Sequence, residues 1–127
     1  MLQPALHYFL HLIAIGGIAY IYDRKHWKRN WLILLATMLV DVDHLFATPI
    51  FDPHRCGIGF HPLHSEIAIA LYFFGILLSR RSVLQLIFIG LFFHMLTDFI
   101  DCMWTFSACH ECYLSSELHE LFQKITG

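Results

Sequence analysis

Four apolar runs, residues 4–22, 31–40, 67–78 and 83–104, set the terms on which this chain can fold. Polar stretches at 23–30 and 79–82 and a loop at 48–61 with two Pro and two Gly separate them. None of the runs alternates with period two, and none carries the polar stripe of an amphipathic bundle helix, so each reads as a helix apolar on all sides. Pro62, just ahead of the third run, suits the first turn of a helix. Strict apolar cores of this length also fit buried helices of a soluble protein. With flanking helical residues each segment reaches roughly 18–22, enough to cross a ~30 Å hydrocarbon core.

Composition decides between the two. The 127 residues make one domain, 57% hydrophobic and only 14% charged, with mean hydropathy +0.59. An ordinary soluble domain carries about 25% charged residues. Four such helices cannot all hide inside a globule of this size, and disorder is excluded by the high hydrophobicity. The expected fold is all-α: a four-transmembrane-helix bundle within a single integral membrane domain, residues 1–127. The helices are expected at about 4–22, 27–46, 62–79 and 82–104. A short amphipathic C-terminal helix, about 114–125, is expected to lie on the outer interface or to pack under the bundle. A net charge of −2 leaves no basic field for nucleic acid, so the expected partner is the lipid bilayer, with room for a homodimer because short helices bury little surface.

Orientation follows from the cations. Arg24, Lys25, Lys28 and Arg29 in the first polar stretch and Arg80 and Arg81 in the third fall on one side of a four-helix chain and hold six of its eight Lys and Arg. The positive-inside rule makes that side cytoplasmic and puts both termini and the 48–61 loop outside, across a bacterial inner membrane. The first run lacks the basic start and small-residue cleavage site of a signal peptide and is expected to be retained. Trp27 and Trp31 are expected at the inner interface and Trp104 at the outer one.

Drawn this way, the polarity collects at one end. The chain has ten His, as many as Asp and Glu together, and only His26 and Asp23 fall on the cytoplasmic side. His7 and His11, four apart, share a face of the first helix; His94, Asp98 and Asp101, spaced four and three, share a face of the fourth. Asp41 and His44 close the second helix, where Asp43 points away unless the helix loosens. His61, His64 and Glu66 open the third. Ionisable groups at membrane depth cost about 2.5–3.5 kcal/mol each even on the lenient insertion scale, and packed carboxylates repel unless cations neutralise them. The economical reading is a metal centre with His7, His11, Asp41, His44, His61, His64, His94 and Asp98 as candidate ligands. Asp43, Asp101 and Glu66 are candidates to orient water or act as base. Asp43 read instead as a loop cap, Asp101 as a partner of a ligand His, and Glu66 as a helix-start charge are the plainer alternatives. His54, His110 and His119 read as solvated. Arg55, in the outer loop, is either a phosphate clamp or a solvated side chain.

Residues 39–44 (Leu-Val-Asp-Val-Asp-His), 60–65 (Phe-His-Pro-Leu-His-Ser) and 90–98 (Gly-Leu-Phe-Phe-His-Met-Leu-Thr-Asp) resemble the inner-membrane-bound putative metal-dependent hydrolases. That family is similar in turn to zinc phospholipase C and P1 nuclease. The resemblance covers about the first hundred residues. It implies Asp41 or Asp43, His64, His94 and Asp98 as ligands, Asp98 as a bridge, and His7 or His11 as the early His. It further implies two or three zinc ions and hydrolysis of a phosphoester or ester of a lipid or lipid-linked substrate at the outer leaflet. A non-catalytic metal-binding module, a sensor or assembly factor, is the alternative; a transporter would need polar residues across the inner half as well.

Cys56, Cys102, Cys109 and Cys112 all fall on the outer, oxidising side and allow three pairings. A Cys56–Cys102 bridge would staple the loop to the end of the fourth helix. Cys109 and Cys112 fit either a local disulfide or half of a zinc site.

Overall fold

A computed structural model describes residues 2–48, 50 and 56–126, and among them every regular element is helical. Helix α1, Leu2–Tyr22, carries a π-helical turn at Leu10–Ala14. Helix α2, Trp27–Ala36, runs on into a 3-10 helix, Thr37–Phe46. A 3-10 turn at Pro62–His64 precedes α3, Glu66–Leu78. Helix α4, Val83–Ala108, is the longest, and α5, His110–Leu114, and α6, Glu117–Thr126, make the tail.

Local chemistry sets the boundaries. Asp23 ends α1 in an extended conformation and caps the next segment, its Oδ1 accepting from Lys25 N at 2.9 Å. The His26 ring, 2.7 Å away, holds the Asp23 carboxyl below its usual range. Ser65 starts α3 by accepting from Ala68 N, and Ser82 starts α4 by accepting from Gln85 N. The expected helix over 62–79 is therefore broken at Ser65, whose extended backbone restarts it. The tail helix expected at about 114–125 is present as α6, starting at Glu117 where Ser116 caps it through His119 N, and the short α5 precedes it. Its Leu118 is buried beneath α4, so the tail packs under the bundle on that side. Leu114, Phe122 and Ile125 remain exposed.

The two short connections meet at one end. Tyr22 donates its hydroxyl to Gln85 Oε1 at 3.0 Å, and Gln85 Nε2 donates to Ile76 O at 2.9 Å, tying α1, α3 and α4 together there. Helix α4 threads the middle, and glycine allows its neighbours in close. A Cβ at Gly90 would sit 2.6 Å from Thr37 Oγ1, and one at Gly75 would lie 2.5 Å from the Phe88 ring. The Trp31 indole N–H donates to Leu12 O at 2.9 Å, inside the π-helical turn. A π turn leaves a carbonyl without its usual α-helical partner, and Trp31 supplies one.

Polar side chains share the core with apolar ones, and several large apolar side chains face outward. His11, Asp43, His64, His94 and Thr97 are buried, while Ile21, Phe46 and Leu78 are more than 80% exposed. Among the described residues, Leu2–Tyr22 and Val83–Ala108 are long and apolar enough to cross a membrane; Glu66–Leu78 is apolar but shorter.

Candidate metal centre

The ends of α1, α2 and α4 away from the short loops enclose a cavity of about 580 Å³, lined among others by His7, Tyr8, Asp41, His44, Asp98 and Asp101. At its inner wall four side chains converge. His94 Nε2 lies 3.0 Å from Asp41 Oδ1 and 3.2 Å from Asp98 Oδ2; His64 Nε2 lies 3.4 Å and 3.3 Å from the same two atoms. Bonds of about 2.0–2.1 Å in a tetrahedral shell put ligand atoms about 3.3 Å apart, so these separations are those of donors around one shared cation. His64 Nε2 supports that reading directly. It is buried between two carboxylates yet makes no hydrogen bond of acceptable geometry to either.

Secondary structure explains the convergence. His94 and Asp98 are one turn apart on straight α4. Asp41 and His44 lie on the 3-10 helix, whose three residues per turn bring positions three apart onto one face. The same tighter winding turns Asp43 inward. Its Oδ2 accepts from Leu63 N at 3.0 Å and pairs with His64 Nδ1 at 3.0 Å, while Oδ1 is 3.1 Å from His44 Nδ1. Both its oxygens are engaged at 4% exposure, and Asp43, His44 and His64 are themselves close enough to share an ion. Asp43 also meets the His64 ring at the nitrogen opposite Nε2, the place carboxylates take behind metal-bound imidazoles.

Asp98 faces two ways. While Oδ2 belongs to the first group, Oδ1 lies 3.4 Å from His11 Nε2, and His11, Asp98 and His7 form a second set close enough to share an ion. The His7 and His11 rings meet at 4.4 Å, and His7 Nδ1 is 3.6 Å from Asp101 Oδ2. Asp101 is partly exposed to the cavity. Gln3, which sequence reasoning missed, holds that edge: its Nε2 donates to Thr105 Oγ1 at 3.1 Å and to Asp101 O at 3.4 Å. The signal was present, since Gln3, His7 and His11 recur every four residues.

His44 and His61 stack at 3.9 Å across the cavity mouth. His44 remains close to Asp41, at 3.6 Å, whereas His61 is outside the ligand groupings. Glu66 is not brought in: it is exposed on the first turn of α3, beyond the cavity. His110 is exposed and His119 lies half-buried against Tyr113, both in the tail. Arg55 and His54 lie outside the described residues. The cysteines pair as Cys56–Cys102 and Cys109–Cys112; the first bridge borders the cavity. A separate groove of about 590 Å³ between α2, α3 and α4, lined by residues such as Ile33, Leu63 and Ile87, is almost wholly apolar and contains none of these ligands.

Fold and site together define an all-helical protein with buried His/Asp groups able to hold a metal ion. Residues 1–105 match a family of unknown function, DUF6122, and the chain belongs to it. That span holds every residue of the cluster and stops short of α5 and α6. No curated protein and no solved structure matches the chain.

Proposed function

We propose that the chain is a membrane-embedded metal-dependent hydrolase that acts on a phosphoester or ester of a lipid or lipid-linked substrate. The observation that carries this is the Asp41, His64, His94 and Asp98 set, spaced as ligands, with both histidines buried and both aspartates at the wall of a cavity, in a chain that exposes many large apolar side chains. Zinc held there supplies a Lewis acid for a phosphoryl or carbonyl oxygen and brings the ionisation of water toward neutral pH. His64, His94 and Asp41 would hold one ion, and Asp98 would be shared with a second position lined by His11 and His7. Asp43 keeps His64 in one tautomer. Asp101, open to the cavity, takes the proton of the attacking water.

The membrane reading has its own support. At 1.5 Å per residue α1 and α4 reach about 32 Å and 39 Å, and α2 with its 3-10 continuation about 35 Å. Helix α3 is about 20 Å long, and Ser65 with the Pro62–His64 turn brings that segment to a contour of about 29 Å, near the ~30 Å core. Four crossings put the six clustered cations on the cytoplasmic side and the metal centre on the periplasmic one, with the lipid substrate entering from the outer leaflet.

Elemental analysis of protein purified without chelators, alongside His94→Ala and Asp98→Asn, tests the proposal. Bound zinc in the wild type, its loss in the variants, and hydrolysis of phospholipids or model phosphodiesters are expected. A metal-free wild type would overturn it. A non-catalytic metal-binding module is favoured by one observation, the near-complete burial of His64 and His94; bound metal without any hydrolysis would select it.

A further inference from the structure

The two disulfides differ in each property that governs thiol exchange. Cys56–Cys102 ties the loop to α4 across 46 residues, and both its cysteines are buried. Exchange needs a thiolate to reach one sulfur, and the low exposure of both cysteines at the cavity wall restricts that approach. Cys109–Cys112 has only His110 and Glu111 between its halves, both exposed, and its own cysteines are partly exposed.

The backbone around the second bridge does not depend on it. Cys109 N donates to Thr105 O at 2.9 Å, the Phe106 and Tyr113 rings meet at 5.3 Å, and Leu118 seats the tail in the core. The pair is also asymmetric. Cys112 N donates to Cys109 Sγ at 3.2 Å, and the same N–H is in place to stabilise a thiolate on Cys109. Cys-x-x-Cys spacing favours thiolate formation in general. The pair lies beyond residue 105, outside the family match.

We propose that Cys109 and Cys112 form a redox-active site that exchanges electrons with a dithiol on a partner protein, whereas Cys56–Cys102 is structural. A partner thiolate attacks Cys109 Sγ; the Cys109–Cys112 bond breaks, and Cys112 leaves as a thiolate and takes up a proton. The partner's second thiolate then attacks its own sulfur in the mixed disulfide and releases Cys109 as a thiolate, which takes up the second proton. Two electrons and two protons pass to this chain, and the partner leaves oxidised. The step uses none of the metal ligands and stands apart from the hydrolase reading.

The test uses the full chain in detergent micelles, equilibrated with graded dithiothreitol and oxidised dithiothreitol, quenched by alkylation and mapped by mass. The 109–112 pair is expected to become alkylated while Cys56 and Cys102 stay oxidised, by about tenfold in labelled fraction at intermediate reductant. Cys112→Ser incubated with oxidised glutathione is expected to accumulate the mixed disulfide on Cys109, and Cys109→Ser about tenfold less on Cys112. Reduction of both bridges together, resistance of 109–112 in the folded protein, or equal reactivity of the two variants would overturn the proposal.

Discussion

Replacing Asp43 with Asn separates a ligand from the group that holds a ligand in place. Asp43 does not itself line the cavity; it contacts His64 Nδ1 and Leu63 N through Oδ2, both at 3.0 Å, and His44 Nδ1 through Oδ1 at 3.1 Å. Asn preserves the volume and can still accept from Leu63 N, but it removes the charge that fixes the His64 proton on Nδ1. Loss of such an outer partner costs about 10–100-fold in metal affinity, or about 1.4–2.7 kcal/mol. Asp41→Asn, which weakens a donor 3.0 Å from His94 Nε2, should cost more. Both are measured by competition with a chromophoric zinc chelator in detergent, with helical circular dichroism as the check on folding. Wild-type affinity in a folded Asp43→Asn protein would refute the orienting role. A loss as large as that of Asp41→Asn would instead make Asp43 a direct ligand.

Three further outcomes are expected. Chelator treatment should lower the melting midpoint and added zinc should restore it, since a ligand at 100 times its dissociation constant stabilises the folded state by about 2.7 kcal/mol; a midpoint indifferent to both contradicts a metal centre. The Cys56→Ala/Cys102→Ala double variant should lose about 4 kcal/mol through the 46-residue loop it reopens, read from denaturant unfolding of the micellar protein. Gly90→Ala should destabilise by about 1–3 kcal/mol because its Cβ would collide with Thr37, whereas Gly17→Ala, with open space around it, should be neutral or slightly stabilising in the same assay.

Most of the fold can be read from apolar run lengths, because in a chain this short of charge the helices have little choice but to pack by their few polar and small residues. Boundaries were less legible where a serine intervened. Ser65 and Ser116 each restart a helix by capping, and nothing in hydropathy marks them as stops. Trp31 illustrates a different limit. It opens an apolar run, a position that fits an interfacial belt and a helix contact alike, and its partner, the carbonyl of Leu12 released by a π turn, is one that periodicity does not reveal.

The candidate ligands divide along the same line. On α4, spacing alone puts His94 and Asp98 together, because the helix stays regular from Val83 to Ala108 and positions four apart coincide. On α1 and α2 all but His7 lie on helix that departs from α geometry: His11 within the π turn, and Asp41, Asp43 and His44 within the 3-10 stretch. An α-helical Asp41–Val42–Asp43 would present its carboxylates about 200° apart, so at most one could meet His64. Tightening to three residues per turn lets Asp41 approach His64 Nε2 while Asp43 reaches Nδ1, and the ring is clamped between them. Sequence periodicity assumes one helical period throughout, so it cannot assign which of the two aspartates binds and which supports. Departures from regular helix at these positions on α1 and α2 free backbone groups that must find other partners, as Leu12 O finds the Trp31 indole. Their coincidence with the buried His and Asp side chains argues that the irregular turns exist to aim them.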